Sequence, residues 1–280
     1  MAVAIVADSS CELSAAQAAD AGIVLVPVIV CVGERRFHDG VDLSTADFYR
    51  LLASGQDVPS TLPPEPSVFE DAFRRLAGSD VVCLTVSAKI SKIYEHALKA
   101  AAAAGPQVRV VDTCTLSGGF ALLATAAAQL ARSGASAETI VAAIETWKSK
   151  QQGFAAYPDL RFLARSGRIN KAQMALGLMM NVFPITRVSR TGEMEGETTV
   201  RSWDQAKESL ASIAARKIEH PQATRIAVTH TNAPDLANFI AEGIRQRLSA
   251  PPRELSIYTA GPTVGANVGP GAAGVFFTEE

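Results

Sequence analysis

Short apolar runs, each closed by a polar turn and followed by apolar residues at helical spacing, recur through the first half of the chain. Val3 to Ala7 ends in Asp8-Ser9-Ser10, and Ser14 then opens an alanine-rich helical stretch. Val81 to Val86 reads as a buried strand, being short, β-branched and nearly unbroken in apolar character. Past it the period changes. Ile90, Ile93, Tyr94 and Ala97 recur at helical spacing, and the alanines after Lys99 continue the helix until Gly105-Pro106 ends it. Val108 to Val111 is closed by Asp112-Thr113, and Ser117-Gly118-Gly119 opens an alanine-leucine helix to Arg132. Repetition of strand, polar turn and helix predicts a doubly wound, mostly parallel sheet. Such sheets place ligands at the carboxyl ends of their strands, where these polar turns lie.

Between these units the pattern predicts a strand over Ile23 to Val30, a loop over Arg36 to Gly40 and a helix over Asp42 to Ala53. Four prolines in Asp57 to Glu70 predict an extended loop until about Ser67, with helix over Glu70 to Ala77. Ser136 to Lys150 reads as one more helix. The second half differs: Phe154 to Leu163 begins with a strand, Gly167-Arg168-Ile169 breaks the chain, and Lys171 to Met180 is helical. Val182 to Val188 and Glu193 to Val200 read as a hairpin turning at Thr191-Gly192. Helices over Trp203 to Ile218 and Pro234 to Leu248 alternate with strands over Ile226 to Thr229 and Leu255 to Thr259. The remainder, Gly261 to Phe277, reads as a glycine-rich loop ending in a strand. A domain boundary falls near residues 155 to 165.

Composition narrows the function. The 280 residues suffice for one large domain or two ordinary ones. A net charge of −2 gives no basic footprint for nucleic acid and no polybasic face for membranes. Cys11, Cys31, Cys83 and Cys114 lack C-x-x-C spacing, so neither a zinc site nor a disulfide framework is expected, and a reducing cytoplasm fits. The opening MAVAIVADSS lacks a charged n-region, and the longest apolar run, Ile23 to Val32, is too short to span a bilayer.

Bond-making chemistry is not announced. His38, His96, His220 and His230 lie in no recognisable catalytic context, and there is no G-x-S-x-G elbow or P-loop. What accumulates is a set of neutral donors suited to one small anion: Ser9, Ser60, Thr61, Ser91, Ser117 and the Gly269-Pro270-Gly271 turn. A serine at a strand-to-helix junction lies beside unpaired helix N–H groups, and glycines let backbone amides approach a ligand. Serines cap helices for purely structural reasons as well.

With these residues in view, the chain resembles the DegV family of bacterial lipid-binding proteins over nearly its whole length. Asp8-Ser9 matches the family's opening pair. Thr61 to Pro66 aligns with its T-S-Q-P-S-P loop, Ser87 to Tyr94 with its S-S-x-L-S-G-T-Y turn, and Val111 to Gly119 with its V-D-S element. Leu163 to Ile169 matches L-x-x-x-G-R-I, Pro184-Ile185 the K-P-I signature, Arg201 the arginine after the hairpin, and Gly265 to Gly274 the glycine-rich close. The chain departs from the family at Leu62, Lys92-Ile93, Phe183 and Asn267, the last standing where the family has a histidine.

The resemblance implies a two-domain α/β protein: residues 1–160 with the doubly wound mostly parallel sheet, 161–280 with a mixed sheet. It implies one long-chain fatty acid held between them by a protein with no catalysis of its own and no cofactor or metal. The carboxylate would lie on Thr61 and Ser91 with Lys92 near, with Ser9, Ser60, Arg168, Arg201, Asn267 and Gly269 in supporting or partner-facing positions. Leu62, Ile90, Ile93, Met174 and Met179 would wall the tail. Such a cytoplasmic carrier, a monomer or weak dimer, would present its lipid to a separate ATP-dependent fatty acid kinase. A phosphotransfer component using His230 or a hydroxyl, and a lipid-sensing regulator, are the alternatives.

Overall fold

The computed structural model describes residues 2–55, 58–168 and 182–280. Two α/β units face each other across one buried helix. The first holds a parallel sheet in the order β2-β1-β6-β7, with β1 Val3–Asp8, β2 Ile23–Val26, β6 Asp80–Thr85 and β7 Val108–Asp112. The second holds a six-stranded mixed sheet in the order β10-β9-β8-β13-β11-β12. Its members are β8 Gln152–Ala156, β9 Phe183–Val188, β10 Met194–Val200, β11 Thr224–His230, β12 Glu254–Thr259 and β13 Ala273–Glu279. Only the β11–β12 pairing in it is parallel. The parallel sheet expected from the strand-turn-helix repeat is thus observed, and so is the mixed sheet that the resemblance implied. By sheet membership we propose a division near Gln151, because β8, ahead of residue 160, already pairs with β9 and β13.

Helix α5, Ser117–Arg132, explains how the units join. Eleven of its residues are buried, so it has no solvent face to speak of, as expected for a helix apolar on all sides. Its opening glycines permit this: a Cβ on Gly118 would lie 2.6 Å from the Thr229 methyl and 2.9 Å from Ala227. The second sheet then divides its side chains by strand alternation. Ala227 and Phe276 join the core around α5, while Ile226, Val228, Val275 and Phe277 face α8 Trp203–Lys217 and α9 Pro234–Arg247.

Four expectations are corrected. The strand expected over Ile23 to Val30 is interrupted at Pro27, which has no N–H for a ladder, and β3 Ile29–Val32 belongs to a separate sheet ordered β4-β3-β5. Part of the expected loop at 36–40 is β4, Arg35–His38, an edge strand too polar to read as one. The proline-rich segment is not a free loop: Pro59–Leu62 form β5 against β3, with proline at the strand's first position. Helix α3 then starts at Pro66, where a missing N–H costs nothing. Lastly, the glycine-rich stretch contains a helix, Pro262–Val268, designated α10 below because α1 Ala15–Ala21, α2 Thr45–Ala53, α4 Ile93–Ala104, α6 Ala137–Lys150 and α7 Leu160–Ser166 precede it. The helix expected over Lys171 to Met180 lies outside the described residues.

Candidate functional site

The site is a cleft between the two units. One wall comes from the β6–α4 junction. Ser87 accepts the Ile90 and Ser91 N–H groups on its carbonyl, winding the turn so that Ile90 and Ser91 face inward. Asp8 fixes the turn's entry by accepting the Val86 N–H at 2.8 Å. The second wall is β5 and the prolines after it. Strand alternation turns Thr61 inward and leaves Ser60 exposed, and the His96 ring donates through Nδ1 to the Pro64 carbonyl at 2.8 Å, tying this segment to α4. From the second unit come Leu163, Ser166 and Arg168 around the end of α7, Met194 on β10, and Thr263, Val264, Asn267 and Val268 on α10.

These walls line a narrow, partly open cavity of about 80 Å³. The lining is mostly apolar, and two of its polar side chains converge on one hydroxyl. Thr61 Oγ1 stands 3.3 Å from Arg168 Nη2 and 3.4 Å from Asn267 Nδ2, both donors, leaving its own proton to point elsewhere. Burial alone pushes the Arg168 pKa down, and among the described residues no carboxylate is paired with it. A half-buried cation without a counter-ion, beside two neutral donors, suits an anion. A second, smaller chamber of about 40 Å³ adjoins the first, sharing Leu116, Met194, Val264 and Val268 with it. It is lined by Ala155, Ala272, Ala273, Gly274 and Phe276 and bordered by His230.

The sequence-predicted residues divide accordingly. Thr61, Ser91, Leu62, Ile90, Ile93, Arg168 and Asn267 line the same cavity. Ser91 Oγ accepts the Ile93 N–H at 3.4 Å, a long bond that leaves the hydroxyl proton unused. Lys92 lies on the exposed face at the N-cap of α4 and is not part of the lining; Arg201 and Ser60 are likewise exposed and apart from it. Ser9 is buried elsewhere, accepting the Val28 N–H and donating to Asp39. Gly269 ends α10 with φ 76°, packed so closely on the Phe162 ring that a Cβ would overlap it. Met174 and Met179 lie outside the described residues. His230 is 5% exposed, with Nδ1 accepting the Ala233 N–H at 3.1 Å and Nε2 3.3 Å from Thr259 Oγ1.

Sequence reasoning missed Leu116, Leu163, Met194, Thr263, Val264 and Val268 as lining residues. Only Leu163 carried a signal, as the leucine ahead of Gly167-Arg168. The α10 residues would have shown themselves through their spacing from Asn267 had the glycine-rich stretch been read as helix. Among the described residues no helix is long and apolar enough to cross a membrane, and no cluster of three potential metal ligands is found.

Comparison with known proteins agrees with the fold. A DegV domain-containing protein of Streptomyces coelicolor is 34% identical over 276 residues, spanning 98% of this chain and 97% of its own. One from Halalkalibacterium halodurans is 30% identical over 281 residues, spanning 98% and 97%. A fatty-acid-binding DegV family protein from Thermus thermophilus has the same fold, with a TM-score of 0.92 at 24% identity and full coverage of both chains. A stearic-acid-binding protein from Eubacterium ventriosum matches at a TM-score of 0.89 and 22% identity, covering 98% of this chain and 97% of its own. The family model described as an uncharacterised protein of the DegV family matches residues 2–280. The chain therefore belongs to the DegV family.

Proposed function

We propose that this protein binds one long-chain fatty acid in the interunit cleft and carries it to a partner without transforming it. The observation that carries the reading is the polarity of the cavity: apolar walls throughout, with donors from three segments meeting at the Thr61 hydroxyl. A carboxylate at that end would accept from Thr61, Ser91 and Arg168, while the tail runs past Leu116 and Val264 toward the second chamber. Each buried methylene contributes about 0.8 kcal/mol, so the tail supplies most of the affinity and the head fixes its direction. The fatty acids bound by the Thermus and Eubacterium relatives support the same ligand class.

The reading extends to presentation of the acid to an ATP-dependent kinase, with Lys92 and Arg201 exposed for such a partner. Asn267, where the family has a histidine, keeps a hydrogen-bond donor at the head site but carries no charge. The phosphotransfer alternative is disfavoured by His230, whose two ring nitrogens are both engaged in a buried setting. A cytoplasmic location is part of the proposal.

Native mass spectrometry of the purified protein tests the ligand class, followed by denaturing extraction and identification of what is released. A stoichiometric fatty acid supports the carrier; a protein that is empty and takes up no added fatty acid overturns it. A covalent mass increase after incubation with a phosphoryl donor would favour the phosphotransfer reading.

A further inference from the structure

Helix α10 follows β12 in the second unit, yet its first turn is held by carboxylates of the first. Asp39 accepts the Thr263 N–H at 3.2 Å and the Thr263 hydroxyl on the same oxygen, Oδ2, which also accepts from Ser9 Oγ at 3.0 Å. Glu12 accepts the Gly261 N–H at 2.7 Å on Oε2 and the Ser117 hydroxyl at 2.8 Å on Oε1. Just upstream, the Tyr49 hydroxyl donates to the Ala260 carbonyl at 2.9 Å. Both carboxylates are 6% exposed. Glu12 and Ser117 hold left-handed backbone, at φ 62° and 50°, a conformation that persists in non-glycine residues only where the surroundings enforce it.

This arrangement bears on the cavity because α10 is one of its walls. The helix is short and contains Gly265, so its own propensity holds it weakly. We infer that Glu12 and Asp39 are positioning residues, a carboxylate clamp that holds α10 on the first unit and through it sets the placement of Asn267 and the closure of the cavity on its ligand. The ligand half of this statement rests on the lipid reading above; the clamp itself does not.

The two acids have different work. Burial pushes the Asp39 carboxyl up, and the three donors converging on one of its oxygens pull it back toward the ionised form. Glu12 has one donor for each oxygen, so its neutral form fits as well, donating to Ser117 Oγ while accepting from Gly261. Burial first, and then the neighbouring Asp39 and Asp8, push the Glu12 carboxyl up to about 8. Among the described residues, the titratable groups facing the pair are Asp8, Cys11 and Tyr49, acids without exception, and no cation acts on the three carboxyls. The outer side of the clamp borders a pocket that water reaches. Ionising Glu12 there adds charge beside Asp39 without adding a donor, and α10 loosens as pH rises past that value.

Hydrogen exchange of the amides of residues 261–268 in the ligand-free protein reads the clamp, and displacement of a fluorescent palmitate analogue reads the cavity. Asp39→Asn removes the anionic oxygen, and is expected to speed exchange there and weaken the analogue about tenfold. Thr263→Val, which removes one of the three donors to Asp39, gives the same changes in smaller measure, and Thr263→Ser restores them. Glu12→Gln reproduces the neutral carboxyl: protection stays at its neutral-pH level and the loss above pH 8 disappears. A core variant such as Ile240→Val lowers the melting temperature without moving either readout. Asp39→Asn and Thr263→Val with wild-type exchange, or Glu12→Gln with the wild-type pH profile, would overturn the clamp. Exchange that responds as described in a protein that binds no analogue would sustain the clamp and overturn the lipid reading.

Discussion

The Asn267 amide on α10 and the Thr61 hydroxyl on β5 meet at 3.4 Å across the two units, and the same hydroxyl stands 3.3 Å from the Arg168 guanidinium. Asn267 is itself fixed by donating to the Thr263 carbonyl at 2.7 Å. With two donors already aimed at Thr61 Oγ1, its proton is the group free to meet an incoming acceptor.

Removing that proton tests the head site. Thr61→Ala with Ser91→Ala is expected to weaken fatty-acid binding by about 1.5–3 kcal/mol, roughly the worth of a hydrogen bond to a charged group. Thr61→Ser should retain most of the affinity. Isothermal titration with a fatty acid decides it, and unchanged affinity in the double variant would sink the assignment.

On the proposed reading, chain length is governed farther in. Val264 lies on the boundary shared by the two chambers, so Val264→Phe should block the passage and shift the extracted ligands to shorter acids. Competition between short and long acids for the purified variant measures the shift. An unaltered preference would mean that the tail does not use the second chamber.

Gly265 reports how tightly α10 is seated. A Cβ there would stand 2.6 Å from the Phe48 ring and 2.8 Å from the Tyr49 hydroxyl, both on α2. Phe48 is 1% exposed and has little room to give way. Gly265→Ala is expected to cost about 1–3 kcal/mol by overpacking, read as a lower denaturation midpoint, with lipid binding weakened alongside.

The buried carboxyls also set a pH dependence of stability. Burial raises Asp8 to about 6 and Glu12 to about 8, from ordinary values of 3.8 and 4.5. The folded protein therefore holds protons that the unfolded chain releases, and stability falls as pH climbs from about 4 to about 8. Urea midpoints across that range should decline, and Glu12→Gln should flatten the upper half. A midpoint that rises with pH would contradict the assignment.

Much of this fold was legible because β1, β6 and β7 are apolar runs flanked by helical spacing, patterns set by local burial. The small sheet was not, since β4 reads Arg-Arg-Phe-His and β5 opens with proline; both become strands by pairing with β3. Helix α10 was hidden for a related reason. Gly265 within it and the glycines that flank it argue against a helix, and what opposes them is Asp39, Glu12 and Tyr49, more than two hundred positions away. At the site, Thr61 and Ser91 were legible as hydroxyls in constrained segments, while Arg168 and Asn267 entered only through the family motifs they match. The apolar lining was not, because Leu116, Met194 and Val264 look like any core residues until two units are brought face to face. Lys92 and Arg201 lie on exposed faces, and a charge near a motif does not by itself say which way the chain turns it.

Strand β13 follows every other strand of the six-stranded sheet in the chain, yet it lies in the middle, between β8 and β11. During synthesis, β8 and β11 must wait without a shared partner until Ala273 to Glu279 emerge. Pairings this distant in sequence are slow to form, and Ala273, Gly274 and Phe276 also line the second chamber. A nascent chain can complete its parallel sheet early, but it has no finished compartment for a hydrophobic guest until that last strand slots in.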